Sequence, residues 1–89
     1  MSPTEAKYRT NKDSEYLKIL GKYIRQWREK RGLTQEEFSS ITKFGRSYIT
    51  EIETGKRNIS FLNFVQLIKD LDVTNSDIID FLTSIKEKR

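Results

Sequence analysis

The stretch of residues 33–55 constrains the fold more than any other part of this 89-residue chain. Near its start, Thr34 and Glu37 have the spacing of a capping box, in which each side chain accepts a hydrogen bond from the backbone N–H of the other residue. This pattern predicts a helix that opens directly after Thr34. Phe38 and Ile41 lie on one face of that helix.

A second helix is predicted after a break at residues 43–45. It begins at about Arg46, turns Ile49 and Ile52 inward, and ends at the next glycine. So short a break allows only a tight turn between two packed helices. The two helices and their turn predict a helix-turn-helix over residues 34–55.

Several short motifs accompany this pattern. They are Leu33-Thr34-Gln35-Glu36-Glu37, Arg46-Ser47-Tyr48-Ile49, Ile52-Glu53 and Gly55-Lys56-Arg57-Asn58. Together they resemble the phage-repressor and Cro type of helix-turn-helix, the XRE family, and within it they are most similar to the controller proteins of restriction-modification systems. The chain departs from the family pattern at Lys43, where a turn glycine is usual, and at Gly45, where a Ser or Asp cap is usual.

The resemblance implies an all-α fold, a compact five-helix, lambda-repressor-like domain. We expect this domain to span residues 14–86, between a flexible arm at 1–13 and a polar tail at 87–89. Basic residues of the arm either reach DNA or belong to a plain disordered tail. Candidates for such contacts are Lys7, Arg9 and Lys12.

Amphipathic patterns predict the remaining helices. The first, capped by Ser14, runs to about Arg31. The predicted caps of the fourth and fifth helices are Ser60 and Thr74. Their predicted inner faces contain Phe61, Phe64, Val65, Ile68 and Leu71 on the fourth helix, and Ile78, Phe81, Leu82 and Ile85 on the fifth.

The composition of the chain excludes several classes of function. The chain has a net charge of +4 and contains neither Cys nor His, which removes the commonest general base and the usual zinc ligands. We therefore expect a protein that is not an enzyme and that binds no metal or cofactor. At 89 residues we also expect no small-molecule ligand. No apolar run reaches membrane-spanning length, which favours a soluble cytoplasmic protein without a membrane partner.

The outward face of the second helix of the motif is expected to enter the major groove of double-stranded DNA. The predicted base contacts are Arg46, Ser47, Thr50 and Glu51. Glu51 has an alternative role as an ion-pair partner on the helix surface. The predicted backbone contacts are Gln35, Lys43, Tyr48, Lys56, Arg57 and Asn58, with Tyr48 assigned by the family resemblance.

Two further predictions concern the fold and its assembly. Arg28 lies at the edge of the apolar stripe of the first helix, so its charge needs a partner, which the family resemblance supplies in Glu53. Leu62 and Ile79 point away from their own stripes and predict a homodimer contact, with an isolated monomer as the alternative.

The sequence therefore favours a dimeric transcriptional regulator that binds a near-palindromic operator. An antitoxin-like or other protein-interaction module is the alternative.

Overall fold

The protein is described by a computed structural model at residues 11–88, which form five α-helices and contain no β-strand. The helices are α1 (Asn11–Lys30), α2 (Gln35–Ile41), α3 (Arg46–Glu53), α4 (Phe61–Asp70) and α5 (Asn75–Glu87). This confirms the predicted all-α, five-helix architecture. Within the same residues, no helix is both long and apolar enough to cross a membrane.

Three of the predicted helix starts have the predicted caps. At α2, the Glu37 N–H donates to the Thr34 hydroxyl at 3.0 Å and the Thr34 N–H donates to Glu37 at 2.8 Å. The Thr34 backbone hydrogen bond holds the pKa of the Glu37 carboxyl below its usual value. Ser60 caps α4, and Thr74 caps α5 in a second capping box.

The predicted cap at Ser14 is wrong, because α1 begins at Asn11 and Ser14 lies inside it. Asp13 stands in the first turn, where the helix dipole favours a negative charge, and the helix extends upstream accordingly. Lys7 and Arg9 of the predicted arm lie outside the described residues, as does the side chain of Lys12.

Three helices end in the same way, with a left-handed residue that lets the chain turn sharply. Gly32 after α1 has a φ of 71°, Gly55 after α3 a φ of 76°, and Asp72 after α4 a φ of 50°. After α3, the Lys56 N–H donates to the Glu51 carbonyl at 2.8 Å, which completes a Schellman motif. Each of these residues ends its helix and lets the chain change direction.

All five helices and the turn before α3 contribute to the core. Its buried apolar residues are Ile24, Trp27, Phe38, Phe44, Ile49, Ile52, Leu67, Leu71 and Phe81. Gly21 permits the closest approach, because a Cβ atom there would lie 2.3 Å from the Ile52 carbonyl oxygen. The backbone of α3 is therefore pressed directly against α1, which fixes the direction in which its outer face points.

The inner faces predicted for α4 and α5 need two corrections. Phe61 is 76% exposed and Leu82 is 48% exposed, whereas Leu67, which is not among the residues predicted on the inner face, is fully buried. The exposed fraction of the apolar side chains falls along α4 from Phe61 to Leu67, so the first turn of this helix extends beyond the core. Helical periodicity identified a stripe but not the part of it that the neighbouring helices cover.

Candidate nucleic-acid interface

Helix α3 is anchored by one face and presents the other to solvent. Ile49 and Ile52 are 0% and 1% exposed, which fixes the rotation of the helix about its axis. Arg46, Ser47 and Thr50 are exposed, and together with the half-buried Glu51 they line one shallow surface. The structure thus brings together all four residues predicted to contact bases.

The turn before α3 is unstrained despite its unusual residues. Gly45 is the N-cap with ordinary extended backbone angles, a φ of −75° and a ψ of 162°. Apart from glycines, Asp72 alone has a positive φ among residues 11–88, so Lys43 occupies the turn without strain. The ammonium of Lys43 lies 5.4 Å from the centre of the Phe44 ring.

Phe44, predicted only as part of the turn, is buried and supports Tyr48. The two rings are stacked with their centres 5.0 Å apart and their planes at 22°. On α4, the amide of Asn63 donates to the Tyr48 hydroxyl at 2.8 Å. Phe44 therefore holds the ring of Tyr48, and Asn63 holds its hydroxyl. In the sequence, the presence of an aromatic residue, Phe44, in the turn was the one sign that Tyr48 would be supported in this way.

Arg57 lies over the remaining face of this aromatic pair. Its guanidinium carbon is 4.8 Å from the centre of the Tyr48 ring, and its Nε donates to Glu51 at 2.8 Å. The alternative role considered for Glu51, an ion-pair partner on the helix surface, is thus the contact that the structure contains. Lys56 and Asn58 are exposed on the same loop as Arg57.

Gln35 occupies the junction of the two helices of the motif. Its side-chain amide donates to Glu53 at 3.0 Å and its carbonyl oxygen accepts from the Thr50 hydroxyl at 2.9 Å. Gln35 also borders a shallow depression between Arg25 of α1 and Arg46 of α3. The predicted phosphate contact at Gln35 stays a prediction, but its amide is already committed to two neighbours within the protein.

Arg28 and Glu53 form a buried, doubly hydrogen-bonded ion pair. The Arg28 Nε and Nη2 atoms donate to the two Glu53 oxygens at 2.7 and 2.9 Å, and Nη1 donates to the Leu33 carbonyl at 2.6 Å. The hydrogen bond to Glu53 raises the pKa of Arg28, against the opposing effect of burial. This pair ties α1 to α3 and to the loop that leads into α2.

The two residues predicted at a dimer contact are strongly exposed. Leu62 on α4 is 76% exposed and Ile79 on α5 is 62% exposed. Phe61 and Leu82 add further exposed apolar surface to the same two helices.

Comparison with known proteins assigns this architecture to a family. Residues 21–80 match the model of a family described as "Helix-turn-helix domain". The chain belongs to this helix-turn-helix family. Control protein C.BamHI of Bacillus amyloliquefaciens is 36% identical to it over 66 residues, which cover 73% of this chain and 82% of that protein.

Two solved structures of the helix-turn-helix family extend the comparison. The restriction-modification controller protein C.AhdI of Aeromonas hydrophila has a TM-score of 0.62 and 33% identity, covering 68% of this chain and 92% of that one. The controller protein C.Esp1396I, solved as a tetramer with its natural operator of 35 base pairs, has a TM-score of 0.70 and 25% identity. That match covers 81% of this chain and 96% of the other. These relatives confirm the resemblance predicted from the residues.

Proposed function

We propose that the chain is a sequence-specific, DNA-binding transcriptional regulator of the restriction-modification controller type. The exposed face of α3 carries this proposal, since Ile49 and Ile52 hold the helix by its opposite side. An α-helix with its side chains is about 10–12 Å in diameter, and the major groove is about 12 Å wide. The first turns of α3 therefore fit the groove.

The residues on that face have the chemistry for base contacts. Arg46 can donate two hydrogen bonds to the O6 and N7 atoms of guanine, and Ser47 and Thr50 can bond other base edges. Glu51 uses one carboxylate oxygen in its ion pair with Arg57, and that pairing competes with acceptance from a cytosine amine. We assign specificity chiefly to Arg46, Ser47 and Thr50.

Charged and polar residues around α3 are assigned to the DNA backbone. Lys43 lies before the helix, and Lys56, Arg57 and Asn58 follow it, all of them exposed. Contacts of this kind fix the register of a protein on the duplex without selecting a sequence. The position of Tyr48 between Phe44 and Arg57 supports a contact to the same backbone.

We infer that the regulator acts as a homodimer formed through α4 and α5. Leu62 and Ile79 are large apolar side chains in contact with solvent, and Phe61 and Leu82 enlarge the apolar surface. A two-fold pair with reading helices about 34–36 Å apart would require a near-palindromic operator. The relative C.Esp1396I, which forms a tetramer with its operator, supports self-association.

We also infer that the chain is a binding protein, that it has no enzymatic activity and that it acts in the cytoplasm. Its relatives are named as control proteins, and no group of His, Cys, Asp and Glu residues that could hold a metal occurs in the described part of the chain.

Selection from random duplexes, followed by footprinting upstream of the gene that encodes the protein, tests this function. We expect one near-palindromic sequence to be enriched and bound with steep salt dependence. Equal binding to all duplexes would contradict the proposal and favour a protein-interaction module of the antitoxin type.

A further inference from the structure

A continuous line of hydrogen bonds connects the buried ion pair to the exposed face of α3. Arg28 donates to Glu53, and the Gln35 Nε2 atom donates to Glu53 Oε1 at 3.0 Å. The hydroxyl of Thr50 donates to Gln35 Oε1 at 2.9 Å. The line thus starts at a residue that is 6% exposed and ends on the surface assigned to DNA.

The chemistry of the buried pair sets the direction of every bond in this line. A guanidinium can only donate and a carboxylate can only accept. Gln35 must therefore turn its NH2 group towards Glu53, because the reversed amide would place an oxygen against a carboxylate oxygen. Its carbonyl oxygen then faces Thr50, and the Thr50 hydroxyl has to donate.

This direction determines what Thr50 can offer to a ligand. A hydroxyl has one proton and two lone pairs, and here the proton is used by Gln35. Thr50 is exposed on the surface that it shares with Arg46, Ser47 and Glu51. Towards a base edge it consequently presents lone pairs, and it acts as an acceptor.

We propose that Gln35 is a positioning residue that makes Thr50 an acceptor-only contact in the major groove. This inference rests on the proposed DNA-binding function. Adenine N6 and cytosine N4 donate hydrogen bonds in that groove, whereas guanine and thymine present acceptors. Thr50 therefore selects a base with an exocyclic amine, adenine or cytosine, at the position that it faces.

The test measures affinities for a set of operators in which each base pair is changed in turn. The proteins compared are the wild type, Thr50→Val, Thr50→Ser and Gln35→Leu. We expect the wild type to prefer an amino base at one position by about twofold to tenfold, the worth of one hydrogen bond. Thr50→Val, which is isosteric, should abolish this preference at that position alone, and Thr50→Ser should retain it.

Gln35→Leu provides the decisive comparison, because it leaves the Thr50 hydroxyl in place and removes its acceptor. The hydroxyl can then donate as well as accept, so the preference for an amino base should fall towards unity at the same position. Preferences at the other positions should stay as in the wild type. Combining Gln35→Leu with Thr50→Val should change that position no further than Thr50→Val does alone.

Two results would overturn the inference while leaving the proposed function intact. One is a Thr50→Val protein that keeps every wild-type base preference. The other is a Gln35→Leu protein that loses affinity equally on all operators, since Gln35 would then act only on the DNA backbone. A wild type that distinguishes no duplex from any other would contradict the proposed function itself, and the inference with it.

Discussion

The guanidinium of Arg28 holds both carboxylate oxygens of Glu53, at 2.7 and 2.9 Å, across the contact between the first and third helices. The two side chains are only 8% and 2% exposed. Glu53 also accepts from Gln35, so one carboxylate connects all three helices that place the DNA-binding surface. The same buried ion pair therefore connects the helices of the fold and positions the candidate interface.

Glu53→Ala should destabilise the fold by about 3–5 kcal/mol, because it leaves the buried Arg28 charge unpaired. A domain of this size has about 5–15 kcal/mol in total, so the loss should be obvious in thermal melting. Glu29→Ala is the matched control, since Glu29 pairs with Arg25 in solvent and should contribute less than about 1 kcal/mol. A Glu53→Ala melt like that of the wild type would show that the pair does not support the fold.

Arg46→Ala should weaken binding to the best operator by about 1–3 kcal/mol and relax the preference at one base pair. The physical reason is the position of Arg46 in the first turn of α3, where a guanidinium can reach a guanine. Titration of the operator and of its single-base variants checks this expectation. An equal loss on random DNA would make Arg46 a backbone contact.

Lys56→Ala and Arg57→Ala should each weaken specific and random binding alike. Each substitution removes one phosphate contact, so the slope of log affinity against log salt should fall in magnitude by roughly 1. Lys69→Ala, which removes an exposed lysine of α4, is the control and should leave the slope as it is. Slopes unchanged by the first two substitutions would contradict the assignment.

Gly21→Ala should destabilise the protein by about 1–3 kcal/mol, because the added methyl would meet the backbone of α3. The Ile52 carbonyl oxygen lies 2.3 Å from the position of that methyl, and helix backbone cannot move aside cheaply. Gly45→Ala tests the same change where nothing lies within 4 Å. Gly45→Ala should lose less stability than Gly21→Ala, because it only weakens an N-cap. Equal melting temperatures of the two variants would refute the close approach at Gly21.

The double variant Leu62→Glu, Ile79→Lys should be monomeric in light scattering at concentrations where the wild type is a dimer. Charges on both helices would oppose the burial of apolar surface between two subunits. Ile41→Lys is the control, since Ile41 is 56% exposed on α2, outside the proposed contact. A wild type that is monomeric while its DNA binding is saturated would rule out the dimer.

The sequence by itself determined the helices and most of their starts. The caps at Thr34, Ser60 and Thr74 each use a hydrogen bond to a residue three positions later, and such contacts need no tertiary structure. The tight turn between α2 and α3 followed from the same local signals. Ser14 was misassigned for a local reason too, because the acidic first turn of α1 starts the helix earlier.

Only the tertiary structure decided which faces are covered and which side chains meet. Phe44 is buried and Phe61 exposed because the crossing points of the helices, not helical periodicity, set the limits of the core. The contacts from Gln35 to Thr50 and to Glu53 join residues 15 and 18 positions apart, so they exist only once α2 and α3 have packed. The family resemblance predicted which surface binds DNA, and packing determined which groups on that surface can still donate or accept hydrogen bonds.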